Sequence, residues 1–285
     1  KGIEFLIASP PCQGMSIAGK NRCNDTMLND DRNYLINYII RAIDELSPKY
    51  ILIENVPALL KLKLPYKGNL YKITEILSMK FGLSYKIDSK VVDAADYGVP
   101  QTRLRAIIKM YPKDEVWSWP TVDERKITVR EAIGNLPSLE AGESSDIKWH
   151  FARKHDARHI EWMKHTPTGT SAFMNPIYFP KKKDGTRIKG YESSYRRIKW
   201  DEPAPTITIR NDAISSQRNV HPGRLLDDGT YSDARVLTLL ETFIVSSIPS
   251  DIKFPEKVSE TFIRTIIGEA IPPHLMEQII DMIGE

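Results

Sequence analysis

The chain opens on an apolar run, Ile3-Glu4-Phe5-Leu6-Ile7-Ala8, whose β-branched and aromatic content predicts a buried strand. Asp30 and Asp31 then precede Tyr34-Leu35-Ile36, Ile39-Ile40, Ile43 and Leu46. These apolar positions recur at the spacing of one helix face, and the pattern stops at Ser47-Pro48. Tyr50-Ile51-Leu52-Ile53 follows at once as a second strand and closes on Glu54. Strand, loop, helix and strand in this order predict the βαβ unit of a parallel sheet, in which ligand-handling groups stand beyond the carboxyl ends of strands. Cys12 and Glu54 both occupy that position.

The pattern continues with a helix over 69–80 and strands about Tyr85–Val92 and Arg105–Met110. After Tyr111-Pro112 the alternation fades, and residues 112–224 hold all five Trp and five of the six His with Pro and Gly scattered among few periodic stretches, which predicts an irregular second domain. Helices are expected again over Arg235–Phe243 and across Glu260–Ile283, interrupted at Pro272-Pro273, with a loop over Ser246–Pro255.

Composition narrows the classes. With 285 residues, 41% hydrophobic and 27% charged, the chain can bury a substantial core and is neither disordered nor fibrous. A net charge of +3 says little about partners, but its distribution does: residues 150–200 carry 12 Lys/Arg against 4 Asp/Glu, and residues 225–285 carry 4 against 11. A polyanion would therefore be met by the middle third. Lys181-Lys182-Lys183 is the one short charge run. Cys12 and Cys23 exclude a disulfide framework and match no common zinc spacing, so no metal is expected and a reducing compartment is. No apolar run approaches the roughly 18 residues of a membrane span, and no signal peptide precedes the first strand, so a soluble cytoplasmic protein is expected.

Ala8-Ser9-Pro10-Pro11-Cys12-Gln13-Gly14 places a thiol in a proline-stiffened turn after a buried strand. Such a loop holds sulfur in one place, as a covalent catalyst requires; the plainer alternative is a buried structural cysteine. A thiolate suits one demanding reaction. Carbon 5 of a pyrimidine is a poor nucleophile until addition at carbon 6 turns the ring into an enamine. The run from Pro11 to Gly19 resembles the Pro-Cys-Gln-x-x-Ser-x-Ala-Gly loop of DNA cytosine-5 methyltransferases.

Further motifs of that family can be matched in order. Glu54-Asn55-Val56 resembles its Glu-Asn-Val, which implies that Glu54 protonates or hydrogen-bonds ring nitrogen 3. Tyr97-Gly98-Val99-Pro100-Gln101-Thr102-Arg103-Leu104-Arg105 resembles its Tyr-Gly-x-Pro-Gln-x-Arg-x-Arg. Alternation sends Gln101, Arg103 and Arg105 to one face; the resemblance implies that Arg105 contacts the cytosine carbonyl and orients Glu54, while Arg103, in the same catalytic set, is a phosphate or supporting contact. Asp31-Arg32-Asn33-Tyr34-Leu35 is similar to the segment bordering the methyl-donor pocket, with Asn33 where Gly is usual. Gly268-Glu269-Ala270-Ile271-Pro272-Pro273 is similar to Gly-Asn-Ala-Val-Pro-Pro, with Glu269 in place of Asn, and Arg235-Val236-Leu237-Thr238-Leu239-Leu240-Glu241 echoes Arg-x-Leu-Thr-x-Arg-Glu, with Leu240 in place of Arg. Tyr195–Thr208 resembles the lead into the target-recognition segment.

The resemblance implies S-adenosylmethionine as methyl donor, held by Pro10, Leu35, Asn55, Glu269 and Ala270, and double-stranded DNA as partner, from a bacterial modification system. Gln13, Ser16, Gln101, Arg187, Arg196, Arg197, Arg210 and Arg218 are the candidate DNA contacts, with Lys189, Lys199 and the polar run Ser215–Asn219 as further ones. The implied fold is a doubly wound Rossmann-like α/β sheet, incomplete in this chain, with an irregular target-recognition domain: 1–111 catalytic, 112–259 recognition, 260–285 helices returning to the first. The family's Gly-rich Phe-x-Gly-x-Gly loop is not found, which leads to the expectation that a segment upstream of Lys1 or a separate subunit completes the donor site and covers the Ile3–Ala8 edge. Two other readings remain open on sequence alone. One is a DNA-binding or specificity subunit without activity; the other is a cysteine hydrolase, for which no His lies in a recognisable triad motif.

Overall fold

Ile36, Ile39 and Ile43 lie on one side of helix α1 (Ile36–Leu46), and all three are buried. The helix stops where Ser47 adopts a left-handed φ of 44° and its N–H donates to the Ile43 carbonyl at 2.9 Å; Pro48 prevents continuation. The chain then enters β2 (Tyr50–Asn55), which pairs in parallel with β1 (Phe5–Ala8) from Phe5–Tyr50 to Ala8–Ile53. The expected βαβ unit is therefore formed, and the carboxyl ends of its two strands stand side by side. The computed structural model describes residues 2–11 and 35–285.

A helix over 69–80 is corrected at its start. Lys67 and Gly68 both take positive φ, 48° and 81°, and make a two-residue turn joining β3 (Lys63–Tyr66) to β4 (Asn69–Lys72). Helix α2 (Ile73–Phe81) begins only after this hairpin.

The sheet is mixed rather than wholly parallel. Its order is β1-β2-β6-β5, and β6 (Leu104–Pro112) runs antiparallel to both β2 and β5 (Tyr85–Asp93). The link from β5 to β6 contains one short 3-10 turn, Ala94–Tyr97, and no helix to carry a parallel crossover. Every residue of β2 is buried, and Ile51 and Ile53 pack with Ile36, Ile43, Ile76, Leu77 and Ile108 in one core. Full burial of such side chains contributes about 1.5–3 kcal/mol each.

Two compact units result. The first comprises Lys1–Asp93, Leu104–Pro120 and Ile279–Glu285, the second Ala94–Arg103 and Thr121–Gln278. The boundaries differ from 111/112 and 259/260 for a physical reason. Buried Lys109 on β6 donates to the carbonyls of Trp117 at 2.6 Å and Ser118 at 2.8 Å and lies over the Trp119 ring, while the Trp117 indole donates to the Ile279 carbonyl at 2.7 Å. Those contacts bind the stretch to 120 and the last seven residues to the sheet.

In the second unit, helices α3 (Val129–Ile133), α4 (Ala157–Lys164), α5 (Leu239–Val245) and α6 (Glu260–Glu269) are separated by long irregular stretches, and α7 (Pro273–Ile280) follows. Trp200, Ile207, Leu239, Phe243, Ile263 and Ile267 belong to one core cluster, and Trp162, Tyr195, Val220 and Val236 to another. Helix α5 starts at Leu239, not at Arg235. The Thr238 hydroxyl accepts the Glu241 N–H, and the Glu241 carboxylate accepts the Thr238 N–H at 2.7 Å, a capping box that fixes the helix start.

Irregular backbone leaves carbonyls without ladder partners, and buried arginines satisfy them here. Arg197 donates to the carbonyls of Met163, Tyr231, Asp233 and His221; Arg264 donates to those of Asn211 and Leu237.

Candidate active site

The parallel pairing of β1 with β2 brings Ser9 and Pro10 beside Glu54 and Asn55. Glu54 is enclosed at the end of β2, with its side chain 5% exposed. One carboxylate oxygen accepts from the Arg105 Nε at 2.6 Å, and the other accepts from the Ser9 hydroxyl at 2.7 Å. Arg105 enters from β6, whose antiparallel register sets Ala106 opposite Asn55, and its Nη1 donates to the Leu104 carbonyl at 2.8 Å. Asn55 donates to the Pro10 carbonyl at 2.8 Å and accepts the Val56 N–H at 2.8 Å, so a strand-end side chain ties down the Pro-Pro turn.

Chemically, this is a carboxylate fixed between a cation and a hydroxyl, able to accept a hydrogen bond from a polar ring and to stabilise positive charge on it. Ser9 was not among the residues singled out from sequence. Its position next to Pro10 carried the signal, because the residue following a strand shares the strand-end crevice. Cys12, Gln13 and Ser16, three of the expected site residues, lie outside the described residues, as do Cys23 and Asn33. Leu35 is half-buried immediately before α1.

The other expected contacts divide by burial, which alternates through Gln101–Arg105 as the spacing predicted. Two of them are corrected. Gln101 is completely buried, donating to Ser246 Oγ at 2.9 Å and accepting the Ile207 N–H at 3.2 Å, so it is a packing group rather than a DNA contact. Arg103 is buried as well, and its guanidinium grips the carbonyls of Ile207, Gly268 and Ala270, each at 2.8 Å, which fits the supporting contact and not the phosphate one. Its motif is shared out, with residues to Arg103 in the second unit and Leu104 and Arg105 in the first.

Arg197 is corrected likewise. It is fully buried, its donors are engaged by carbonyls, and burial pushes its guanidinium down to about 10. Arg187 and Arg196 remain at the surface but are partly engaged, Arg187 with the carbonyls of Phe173 and Asn175 and Arg196 with that of Gly169. Arg210, Arg218, Lys189 and Lys199 are exposed, with Lys199 paired to Glu202. Arg196, Lys199 and Arg218 line one cleft of about 340 Å³ together with Thr102 and Thr206. Glu269 is exposed, and the Ala270 carbonyl is one of those held by Arg103.

Arg235 and Glu241, at the two ends of the weaker motif, form a buried bidentate pair at 2.8 and 2.9 Å, with Asp233 against the same guanidinium at 2.8 Å. Leu240, which stands where the family has Arg, is buried on α5. That motif is an internal brace. Among the described residues there is no cluster of side chains suited to a metal ion, and no helix is long and apolar enough to cross a membrane.

Comparison with known proteins identifies the family. A type II methyltransferase of Avibacterium volantium, M1.HgaI, is 58% identical over 277 residues, covering 97% of this chain and 77% of that protein. M1.HphI, a type II methyltransferase of Haemophilus parahaemolyticus, is 30% identical over 99% of this chain and 68% of its own length. Among solved structures, the Entamoeba histolytica methyltransferase EhMeth matches 98% of this chain and 77% of its own with a TM-score of 0.60; at 16% identity it supports the fold alone. The family model for C-5 cytosine-specific DNA methylases matches residues 1–285, and the chain belongs to that family.

Proposed function

We propose that this DNA cytosine-5 methyltransferase moves a methyl group from S-adenosylmethionine to carbon 5 of a cytosine turned out of duplex DNA, within a modification system. The base leaves the stack because carbons 5 and 6 are covered in the duplex, at a cost of a few kcal/mol. Cys12, two residues beyond Pro10, whose carbonyl Asn55 holds, adds its thiolate to carbon 6 and is expelled again when carbon 5, once methylated, loses its proton to water. Glu54 hydrogen-bonds ring nitrogen 3 and favours its protonated form, which draws electrons from carbon 6. Arg105 holds that carboxylate and faces the ring carbonyl.

The donor supplies an electrophilic methyl group. Pro10 and Asn55 fit a role in holding it, because they stand at the carboxyl ends of two adjacent parallel strands, where α/β sheets bind ligands. Leu35 completes the proposed set in this unit; Glu269 and Ala270, the other residues that the resemblance gave for the donor, belong to the second unit. Target recognition falls to the second unit, where Arg196, Lys199 and Arg218 share a cleft.

The observation that carries this reading is the enclosed contact of Glu54 with both Arg105 and Ser9, three residues before the cysteine. Duplex DNA containing 5-fluorocytosine tests it. With S-adenosylmethionine present the protein should become trapped on that DNA as a complex that survives denaturant, and Cys12→Ser should not. Trapping by Cys12→Ser, or its failure in wild type that methylates ordinary DNA, would overturn the mechanism.

A further inference from the structure

Residues 180–188 form a two-stranded ribbon. Lys181 bridges Arg187 in antiparallel register, the Ile188 N–H donates to the Pro180 carbonyl at 2.9 Å, and the Lys182 N–H donates to the Thr186 carbonyl at 2.8 Å. Gly185 turns the tip with φ 85°, and a side chain built there would meet nothing within 4 Å. Residues 181–187 are all exposed.

The root, by contrast, is fixed. Arg187 donates to the carbonyls of Phe173 at 2.8 Å and Asn175 at 3.2 Å and stacks 3.8 Å from the Phe179 ring. Asn175 accepts the N–H groups of Ile177 and Tyr178, both at 2.9 Å, and Tyr178 stacks on His165 at 3.5 Å. The arginine that sequence pointed to is thus an anchor; Lys181, whose ammonium lies 5.8 Å from the centre of the same Phe179 ring, and Lys182 and Lys183 are exposed beside it.

We propose that this ribbon docks the protein on duplex DNA, with Lys181, Lys182 and Lys183 holding backbone phosphates. The proposal rests on the DNA substrate argued above and names the surface that meets it. Charge carries it. Lys181 faces Arg187 across the ribbon, a like-charge pair that disfavours the free ribbon and that a polyanion would relieve. The nearby acid, Asp184, is engaged with the Thr186 N–H at 2.9 Å, and no ion pair joins the three lysines to a carboxylate among the described residues. A narrow two-stranded ribbon is also a shape the major groove of B-DNA admits.

The test is the salt dependence of duplex binding by the full chain without methyl donor, in wild type and in the triple variant Lys181→Ala, Lys182→Ala, Lys183→Ala. Each phosphate that is no longer neutralised lowers the slope of log K against log salt by about 0.9, so a fall of about 2–3 is expected. The weakening should be equal on any duplex sequence, methyl transfer at saturating DNA should be kept, and the triple Lys→Arg variant should restore the slope. A slope unchanged in the alanine variant, while wild type methylates DNA, overturns the docking surface. A reduced slope in a protein that never methylates overturns the enzymatic reading and leaves the docking surface standing.

Discussion

Arg105 Nε and Glu54 Oε1 lie 2.6 Å apart, with both side chains largely closed to solvent at 12% and 5% exposure. The pair joins β6 to the end of β2, so the carboxylate is aimed by two strands rather than by a loop. A carboxylate so held needs little reorganisation when charge develops on a bound ring.

Glu54→Gln keeps the shape and removes the charge. Acid–base assistance of this kind is worth roughly 100- to 10,000-fold, so single-turnover methyl transfer should fall at least about 100-fold while DNA affinity stays within a factor of about three. Ser9→Ala, which removes one hydrogen bond to the carboxylate, should cost about tenfold. A Glu54→Gln enzyme within threefold of wild type would show that the carboxylate does not act on the base.

The buried brace of the second unit gives a stability prediction. Arg235 donates to both oxygens of Glu241, to Asp233 and to the carbonyls of Leu139 and Val236. Arg235→Leu would strand two buried carboxylates, and breaking such a pair costs about 3–5 kcal/mol. Urea unfolding should show that loss, and Arg235→Lys should recover only part of it, because one ammonium cannot match the planar fork. A cost below 1 kcal/mol would mean that the brace is not needed for folding.

What sequence could and could not reveal follows from the same contrast. The βαβ unit and the placement of Glu54 were legible because apolar runs and a helical face mark out strands and helices, and Ser47-Pro48 marks the helix end; burial was legible for β2 but not for β1, expected to be buried, where Ile7 is 53% exposed. The capping box of α5 was also written in Thr238-Leu239-Leu240-Glu241. The fates of Gln101, Arg103 and Arg197 were not. An arginine that meets phosphate and one that meets its own protein's carbonyls read alike in sequence, and which occurs depends on where irregular backbone leaves acceptors unpaired. The same ambiguity hid the ribbon, since Arg187 looked like the contact and turned out to be the root. The mixed sheet was missed because neighbouring apolar strands do not declare their direction; the short helix-free link 94–103 was the available clue.

Acid should destabilise the second unit well above the carboxylate range. Burial, aided by the charge of Arg235, pushes His221 down to about 3, and its Nδ1 accepts the Gly223 N–H at 3.1 Å, so the folded ring is neutral. The unfolded ring titrates near 6.5. Below that pH the unfolded chain takes up a proton that the folded chain refuses. Stability is therefore full above about pH 7 and falls by roughly 1.4 kcal/mol per unit as pH drops towards 3. His155, lowered to about 4 chiefly by burial, acts with the same sign. Burial alone would raise Glu241, but Arg235 holds it at about 2, adding a further loss below about 4.5. Denaturant titrations at pH 7, 6 and 5 should show this decline, and a flat profile would mean that these rings are protonated when folded.

Gly268 offers the sharpest packing test. A Cβ at this position on α6 would stand 2.4 Å from the Thr208 carbonyl oxygen and 2.5 Å from the Ile209 nitrogen, both backbone atoms that cannot rotate away. The Gly268 carbonyl also accepts from Arg103, whose other bonds reach Ile207 and Ala270, so moving the helix end would disturb the whole grip. Gly268→Ala should cost about 1–3 kcal/mol, although alanine is the better helix former by about 1 kcal/mol, because overpacking against fixed backbone outweighs propensity. The two effects have opposite signs, so a variant as stable as wild type or more stable would mean that α6 is not held against residues 208–209 in solution.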